Sequence, residues 1–207
     1  MKKRLPALLL AILLLLALPL SLGGCASDAP EVEQVYDIVV DLVERSYAAN
    51  DLLYGYGIPV HAIGSALADI NYLYNDTDFA DYEYAHELSP YLSIAEIRDT
   101  LESVYSSDFL DSHNTTLFDG FFVGNDIVRA RYYEKSEWLY QSVDADDPLI
   151  TWQRIYDYSS MRVVKPSSAT YVTVEIDSHI ENDSTVLPVK LSIVYENGQW
   201  RLDTPTY

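Results

Sequence analysis

The sequence predicts a domain of the α+β class, with helices in its first half and an antiparallel β-sheet in its second half. Apolar residues recur at helical spacing before Asn114 and at every second position after it. Near the end of the chain, Asn197-Gly198 separates two alternating runs, and this dipeptide is a strong turn signal for a β-hairpin. With 207 residues and 49% hydrophobic content, the chain is long enough to bury one core.

The N-terminus has the form of a secretory signal peptide, which occupies residues 1–24. Lys2, Lys3 and Arg4 precede an uncharged apolar run that extends to Leu22. The run approaches the length of a transmembrane span, so a membrane anchor followed by an incidental cysteine is the alternative interpretation.

The segment Leu22-Gly23-Gly24-Cys25 ends the run, and Cys25 is the only cysteine of the chain. This four-residue segment resembles the lipobox of bacterial lipoproteins. The resemblance implies cleavage between Gly24 and Cys25 and a diacylglyceryl group on the Cys25 thiol. Such a group would hold the protein on the extracytoplasmic face of the cell membrane. Residues 25–30 then form the lipidated cysteine and a tether, and residues 31–207 form a single folded domain.

Acidic residues dominate the chain, with 32 Asp and Glu against 13 Lys and Arg and a formal charge of -19. Loss of residues 1–24 removes three basic residues and no acid, which changes this charge to -22. Residues 26–111 carry most of it, because they contain 18 acids and only two bases, Arg45 and Arg98. Such a surface excludes nucleic acid as a partner and repels anionic headgroups, so membrane attachment is expected through Cys25 alone.

Three helices are predicted in the first half. The first follows Pro30, which can occupy a first helical turn, and ends before the turn around Gly55-Tyr56-Gly57. The second is expected over residues 63–74, where apolar residues again recur at helical spacing. The third begins at Ser93, which forms a capping box with Glu96.

The second half predicts an antiparallel meander, with long strands over residues 171–180 and 187–196. Pairing outward from Asn197-Gly198 places Tyr195 opposite Trp200 and Ile193 opposite Leu202. In the preceding hairpin, we expect Ile176 opposite Leu191 and therefore Asp177 opposite Lys190. Further strands are predicted over residues 82–84, 121–123, 127–134, 137–143 and 154–164.

The order of helices followed by long curved strands resembles the NTF2-like (cystatin-like cone) superfamily. This resemblance implies N-terminal helices packed on a curved antiparallel sheet, and it adds a small-ligand binder or an enzyme to the candidate functions. Segments 46–59, 103–106 and 200–207 resemble a group of lipoproteins from Clostridia-type Gram-positive bacteria, which implies no activity. The acidic surface and the helix before a curved sheet are similar to secreted inhibitors of peptidoglycan DL-endopeptidases, which implies a regulator of cell-wall hydrolases.

No catalytic, cofactor or metal motif emerges from the sequence. The acidic stretch at residues 75–83 resembles a calcium loop, but it lacks the glycine at the sixth position, and only Glu87 could replace the closing Glu. Cys25 is assigned to lipid, and the four histidines fall outside the spacings of zinc sites: His61, His86, His113 and His179. We therefore expect no metal, no cofactor and no enzymatic activity.

The 18 tyrosines carry the remaining functional signal. A tyrosine ring gives contact area at low entropic cost and the hydroxyl adds a polar group, which suits recognition of a protein or a glycan. The alternative is that tyrosine is a good strand former that is only half-buried. The candidate recognition surface consists of Tyr82, Tyr84, Tyr171, Glu175 and His179, of which the last three share one polar strand face.

The sequence thus predicts a lipid-anchored, extracytoplasmic binding module without catalytic activity, whose partner is a protein or a cell-wall glycan. Two alternatives stay open. One is an acidic inhibitor or regulator of peptidoglycan hydrolases, and the other is an NTF2-like small-ligand binder or enzyme.

Overall fold

The structure, a computed structural model, describes residues 29–61, 82–123, 126–128, 130–135, 137–142 and 149–207. For residues 82, 84, 121–123 and 126–128 it describes the backbone only. The predicted signal peptide, the predicted lipidation site at Gly24-Cys25 and the predicted helix over residues 63–74 lie outside the described residues.

The described residues form an α+β fold with three helices and two antiparallel sheets, which confirms the predicted class. The helices are α1 (Val32–Tyr54), α2 (Ile94–Val104) and α3 (Ser107–Asn114), and a π-helical turn (Thr115–Asp119) follows α3. The strands are β1 (Tyr82–Tyr84), β2 (Phe121–Val123), β3 (Asp126–Val128), β4 (Tyr132–Lys135), β5 (Trp138–Ser142), β6 (Arg154–Val164), β7 (Tyr171–Ile180), β8 (Leu187–Glu196) and β9 (Gln199–Leu202). None of the helices in this part of the chain combines the length and the apolar character needed to cross a membrane.

Helix α1 forms because its apolar residues repeat every three or four positions and make one continuous stripe. Val35, Val39 and Leu42 lie on this stripe and are almost completely buried. Its first turn is closed by Gln34, whose side-chain oxygen accepts the backbone N–H of Glu31 at 2.8 Å. The helix begins at Val32 with Glu31 as its cap, so Pro30 lies before the helix, and its expected place in the first turn was wrong.

Helix α2 begins at the predicted cap, but only half of the capping box forms. Ser93 Oγ accepts the backbone N–H of Glu96 at 3.2 Å, while the Glu96 carboxylate accepts the N–H of Leu92 instead of that of Ser93. The helical half also extends further than expected. The change from helical structure to strands comes only after the π-helical turn ends at Asp119, not at Asn114.

The larger sheet has four strands in the order β6-β7-β8-β9, and the smaller has three in the order β1-β5-β4. Strands β2 and β3 pair with each other as a separate ladder. The last hairpin matches its prediction, because Asn197 and Gly198 have φ angles of 50° and 83° and Tyr195 pairs with Trp200. Two positive φ angles in succession are what a tight hairpin turn of this kind requires.

The register between β7 and β8 differs from the prediction by two residues. Ile176 pairs with Val189 rather than Leu191, and Lys190 lies opposite Glu175 rather than Asp177. A shift of two residues leaves every side chain on the same face of the sheet, so the hydrophobic pattern does not distinguish the two registers. The connection between the two strands begins with a turn in which the Ile180 carbonyl oxygen accepts the N–H of Asp183 at 2.9 Å.

One hydrophobic core contains side chains from both halves of the chain. Val39 of α1, Ile97 of α2, and Val174 and Ile193 of the four-stranded sheet are all completely buried members of it. Tyr132 is also fully buried, and its hydroxyl donates to the Leu52 carbonyl oxygen at 2.8 Å. That bond satisfies a polar group that would be costly to bury alone.

Two buried tyrosines predict an alkaline limit to stability. Burial raises the pKa of Tyr105 and of Tyr132 from 10.0 to about 12. Their contribution to the free energy of unfolding is complete below pH 10.0 and is lost as the pH rises toward about 12. The reason is that the tyrosine hydroxyls ionise in the unfolded chain before they ionise in the folded protein. The loss approaches about 3 kcal/mol for each tyrosine.

Denaturant unfolding across this pH range, read together with tyrosinate absorbance, measures the effect. Tyr105→Phe should remove the Tyr105 share of the pH dependence. A free energy of unfolding that stays constant over the same range would contradict the prediction.

Candidate functional site

A cleft of about 420 Å³ lies where the end of α1, the segment that enters β6 and the last two residues of the chain meet. Its volume is in the range of small-molecule sites. Four aromatic residues line it, namely Tyr47, Tyr56, Trp152 and Tyr207. The other polar side chains that line the cleft are Asn50, Asp51, Thr151, Gln153, Arg154, Glu181 and Thr206.

Direct hydrogen bonds hold α1 against the segment that enters β6. The Tyr47 hydroxyl donates to the Arg154 carbonyl oxygen at 3.1 Å, and burial raises the pKa of Tyr47. The N–H of Leu149 also donates to the Tyr54 carbonyl oxygen at 2.9 Å. The last carbonyls of a helix have no partner inside the helix, so the incoming segment satisfies one of them.

The wall of the cleft around Tyr56 is held by a glutamine from the three-stranded sheet. Gln141 donates through Nε2 to the Tyr56 carbonyl oxygen at 2.9 Å and accepts the N–H of Ile58 at 2.8 Å. Gly57 lies between these two bonds with a φ of +79°, and a Cβ there would come within 2.0 Å of Gln141 Oε1. Only glycine fits this turn without strain.

Arg154 is the basic side chain that lines the cleft. Its Nη1 donates to Ser178 Oγ at 3.1 Å, and its guanidinium lies 5.9 Å from the centre of the Trp152 ring. Its Nε is buried and has no hydrogen-bond partner among the described residues. An unsatisfied buried donor costs about 1–3 kcal/mol, so this arginine is held beside the cleft at an energetic cost.

A buried hydrogen-bonded cluster with Thr206 at its centre, the Thr206 cluster, forms the floor of the cleft. Thr206 Oγ1 lies 2.6 Å from Ser46 Oγ and accepts from Asn50 Nδ2 at 2.9 Å. The Tyr105 hydroxyl donates to Asn50 Oδ1, and the Tyr156 hydroxyl donates to the Thr206 carbonyl oxygen at 2.9 Å. Helix α1, the residue after α2, strand β6 and the C-terminus are thus fixed at one point.

Tyr171, Glu175 and His179 lie four residues apart along β7 and so on one face of the strand, and all three are half-buried. Glu175 is held by basic residues of the neighbouring strands, namely Arg162 of β6 and Lys190 of β8. None of the three lines the cleft. For Glu175, the contacts are therefore those of a cross-strand ion pair within the sheet.

Tyr82 and Tyr84 form the two ends of β1, which pairs with β5. Their side chains lie outside the described part of the structure, as do Gly24, Cys25 and residues 75–81 of the acidic loop. Lipidation at Cys25 and recognition by the two tyrosines stay predictions.

His61, His86 and Glu87 come together although the two histidines are 25 positions apart in the sequence. His61 Nε2 lies 2.7 Å from Glu87 Oε2, and the two imidazole rings stack with centroids 4.5 Å apart. Hydrogen bonds to backbone and to His61 lower the pKa of Glu87, so its carboxylate is charged at neutral pH. Glu87 thus contacts a histidine, while residues 75–81 of the acidic stretch lie outside the described residues.

His113 lies outside the cluster of His61, His86 and Glu87 and contacts a backbone carbonyl and a tyrosine. Its Nδ1 lies 2.9 Å from the Phe109 carbonyl oxygen, and its Nε2 lies 2.6 Å from the Tyr54 hydroxyl. An Nδ1–H tautomer satisfies both contacts, because Nε2 then accepts from Tyr54. Burial raises the pKa of Tyr54, so its hydroxyl remains protonated and acts as a donor.

The cleft residues Trp152, Arg154 and Thr206 were not among the predicted site residues. They come from separate segments of the sequence, and no motif spacing connects them. No protein-family model matches this chain, and no curated protein matches it either.

The Thr206 cluster predicts a stability effect at the C-terminus. Thr206→Val keeps the side-chain shape but leaves the buried Ser46 and Asn50 groups without this partner, so we expect a loss of about 1–3 kcal/mol in unfolding free energy. Thr206→Ser retains the hydroxyl and should lose clearly less. Denaturant unfolding of the three proteins measures the difference, and equal losses in both variants would show that the hydroxyl is not responsible.

Proposed function

We propose that this protein is a lipid-anchored, extracytoplasmic module that binds a cell-wall glycan in the cleft without chemically changing it. The observation that carries this proposal is the combination of four aromatic side chains with one cationic side chain, Arg154, whose guanidinium lies 5.9 Å from the centre of the Trp152 ring. The rest of the proposal follows from the chemistry of such a ligand.

A sugar ring has an apolar C–H face and a periphery of hydroxyl groups. Aromatic side chains such as Trp152 and Tyr207 suit the apolar face, while the amide of Gln153 suits the hydroxyl groups. Peptidoglycan fragments also carry carboxylates, and a guanidinium binds a carboxylate through charge-assisted hydrogen bonds. Arg154 is the group that we assign to this contact.

The absence of catalysis is part of the proposal. Asp51 Oδ1 accepts the backbone N–H of Tyr56 at 2.9 Å, so this carboxylate holds the turn at the rim of the cleft. The raised pKa of Tyr47 keeps its hydroxyl protonated, and that hydroxyl donates to a backbone carbonyl. Both groups have structural partners rather than an arrangement that transfers a proton to a ligand.

For the fold, we propose the NTF2-like cone, with the helices packed on the curved sheet. The core that α1 and α2 share with β7 and β8 supports this arrangement. The cleft would then lie beside the packed core, in a position suited to a small ligand.

A regulator of cell-wall hydrolases is the second candidate, and an acidic face on α1 favours it. Four exposed acids lie at helical spacing on this face: Glu33, Asp37, Asp41 and Glu44. Arg45, which is ion-paired to Asp41 at 2.8 Å, is the basic residue within the helix. Such a face would attract a basic enzyme surface.

Cys25→Ala tests the anchor. We expect the variant to keep its signal peptide or to appear in the soluble fraction, because the thiol that takes the lipid is gone. Cell fractionation and the mass of the mature protein measure this outcome, with Cys25→Ser as a second variant that also lacks the thiol. Membrane attachment as in the wild-type protein, with a mature mass that differs from the wild-type mass only by the substituted side chain, in both variants would refute lipidation.

Titration with disaccharide-peptide fragments of purified peptidoglycan tests the cleft. Trp152→Ala and Arg154→Gln should each weaken binding roughly ten-fold or more, because each removes a ring surface or a charged hydrogen bond. Trp138→Ala is the matched control, since Trp138 is exposed and lies outside the cleft. Calorimetry measures the affinities, and circular dichroism confirms that the variants fold.

Two other outcomes would reject glycan binding. The wild-type protein could fail to bind the fragments, or the control could lose as much affinity as the cleft variants. Inhibition of a purified peptidoglycan hydrolase that disappears on neutralisation of Asp37 and Asp41, but not in Arg154→Gln, would favour the second candidate.

A further inference from the structure

A backbone pairing brings two histidines together at the start of the described segment that contains β1. Val60 and Ala85 form an antiparallel bridge, and the N–H of His86 donates to the Pro59 carbonyl oxygen at 2.9 Å. Successive residues of paired strands point to opposite faces, so His61 and His86 lie on the same face as diagonal neighbours. Backbone hydrogen bonds thus fix the origin of both side chains.

The third member of the cluster is Glu87, the residue after His86. Its Oε2 lies 2.7 Å from His61 Nε2 and 3.9 Å from His86 Nδ1. One potential ligand atom from each of the three side chains lies within 4.8 Å of the other two. The exposed fraction rises from 10% for the His61 side chain through 33% for His86 to 62% for Glu87, so the cluster has one protected and one open side.

Two imidazoles and one carboxylate form a donor set that suits first-row transition-metal ions better than it suits Ca²⁺ or Mg²⁺. Around a tetrahedral ion with bonds of about 2.0–2.2 Å, neighbouring ligand atoms lie about 3.3 Å apart. The separations in the cluster differ from this value by roughly 1 Å or less for the two measured pairs. Rotation of the exposed Glu87 and of the partly exposed His86 side chains is enough to close the difference.

We propose that His61, His86 and Glu87 bind one divalent transition-metal ion, with Zn²⁺ as the ion that fits this mixed nitrogen and oxygen donor set best. Three protein ligands leave at least one coordination position for water, and the open side at Glu87 gives the ion its entry path. The formal charge of -19 raises the local concentration of divalent cations around the protein. Neither the cleft nor the lipid anchor is needed for this site.

An existing hydrogen bond to His86 lowers the affinity that we expect for the ion. The N–H of Leu88 donates to His86 Nδ1 at 3.0 Å, so an ion at this nitrogen replaces an existing hydrogen bond. The ion also replaces the contact between His61 and Glu87. We therefore expect reversible binding rather than a permanently held structural ion.

Calorimetric titration of the untagged full chain with Zn²⁺, after treatment with a chelator, tests the proposal. We expect saturable binding of one ion per chain and a raised melting temperature in its presence. His61→Ala and His86→Ala should each weaken binding roughly ten-fold or more. Glu87→Gln should also weaken it, although glutamine can still hydrogen-bond to His61.

The matched control is His179→Ala, which removes a histidine of β7 that lies outside the cluster, and it should bind Zn²⁺ as the wild-type protein does. Circular dichroism of each metal-free variant separates loss of a ligand from loss of the fold. Absence of saturable Zn²⁺ binding would overturn the proposal. Equal affinity of the wild-type protein and of folded His61→Ala and His86→Ala would also overturn it.

Discussion

The hydroxyl of Thr206 is the point on which the arrangement of the molecule depends. Buried polar groups must find partners, and this one lies within hydrogen-bonding distance of Ser46 and Asn50 of α1. The carbonyl of the same residue accepts from Tyr156 of β6. The N–H of Ser106 donates to Leu202 at 2.8 Å, which ties the end of α2 to the last strand. Elements far apart in sequence therefore have one satisfied arrangement rather than several.

This constraint also shapes the cleft. Its floor belongs to the Thr206 cluster, and its rim at Tyr56 is held by Gln141, so neither wall needs to be ordered by a ligand. Arg154 and Trp152 line this preformed space. A site whose polar groups are already positioned loses less entropy when a ligand binds.

Local chemistry made part of the fold predictable. The hairpin at Asn197-Gly198 and the cap at Ser93 each depend on a few adjacent residues, and both formed as expected, apart from the second bond of the capping box. The register of β7 against β8 differs from the expected one by two residues, a shift that the alternating pattern cannot distinguish because it keeps every side chain on its face. The cleft and the histidine cluster arise from contacts between distant segments. No local spacing indicates such contacts, and for this reason the predicted strand-face residues were not the ones that line the cleft.

The length of α1 has a consequence for where the cleft would act. The helix begins a few residues after the proposed lipid on Cys25, and its 23 residues span about 35 Å. The cleft lies at the far end of this helix, next to Tyr47 and Gly55. With the proposed anchor on Cys25, α1 would separate the attached end of the domain from the cleft, and repulsion between its acids and anionic headgroups would turn the cleft away from the bilayer. In that orientation cell-wall polymer rather than lipid would be within reach of the binding residues.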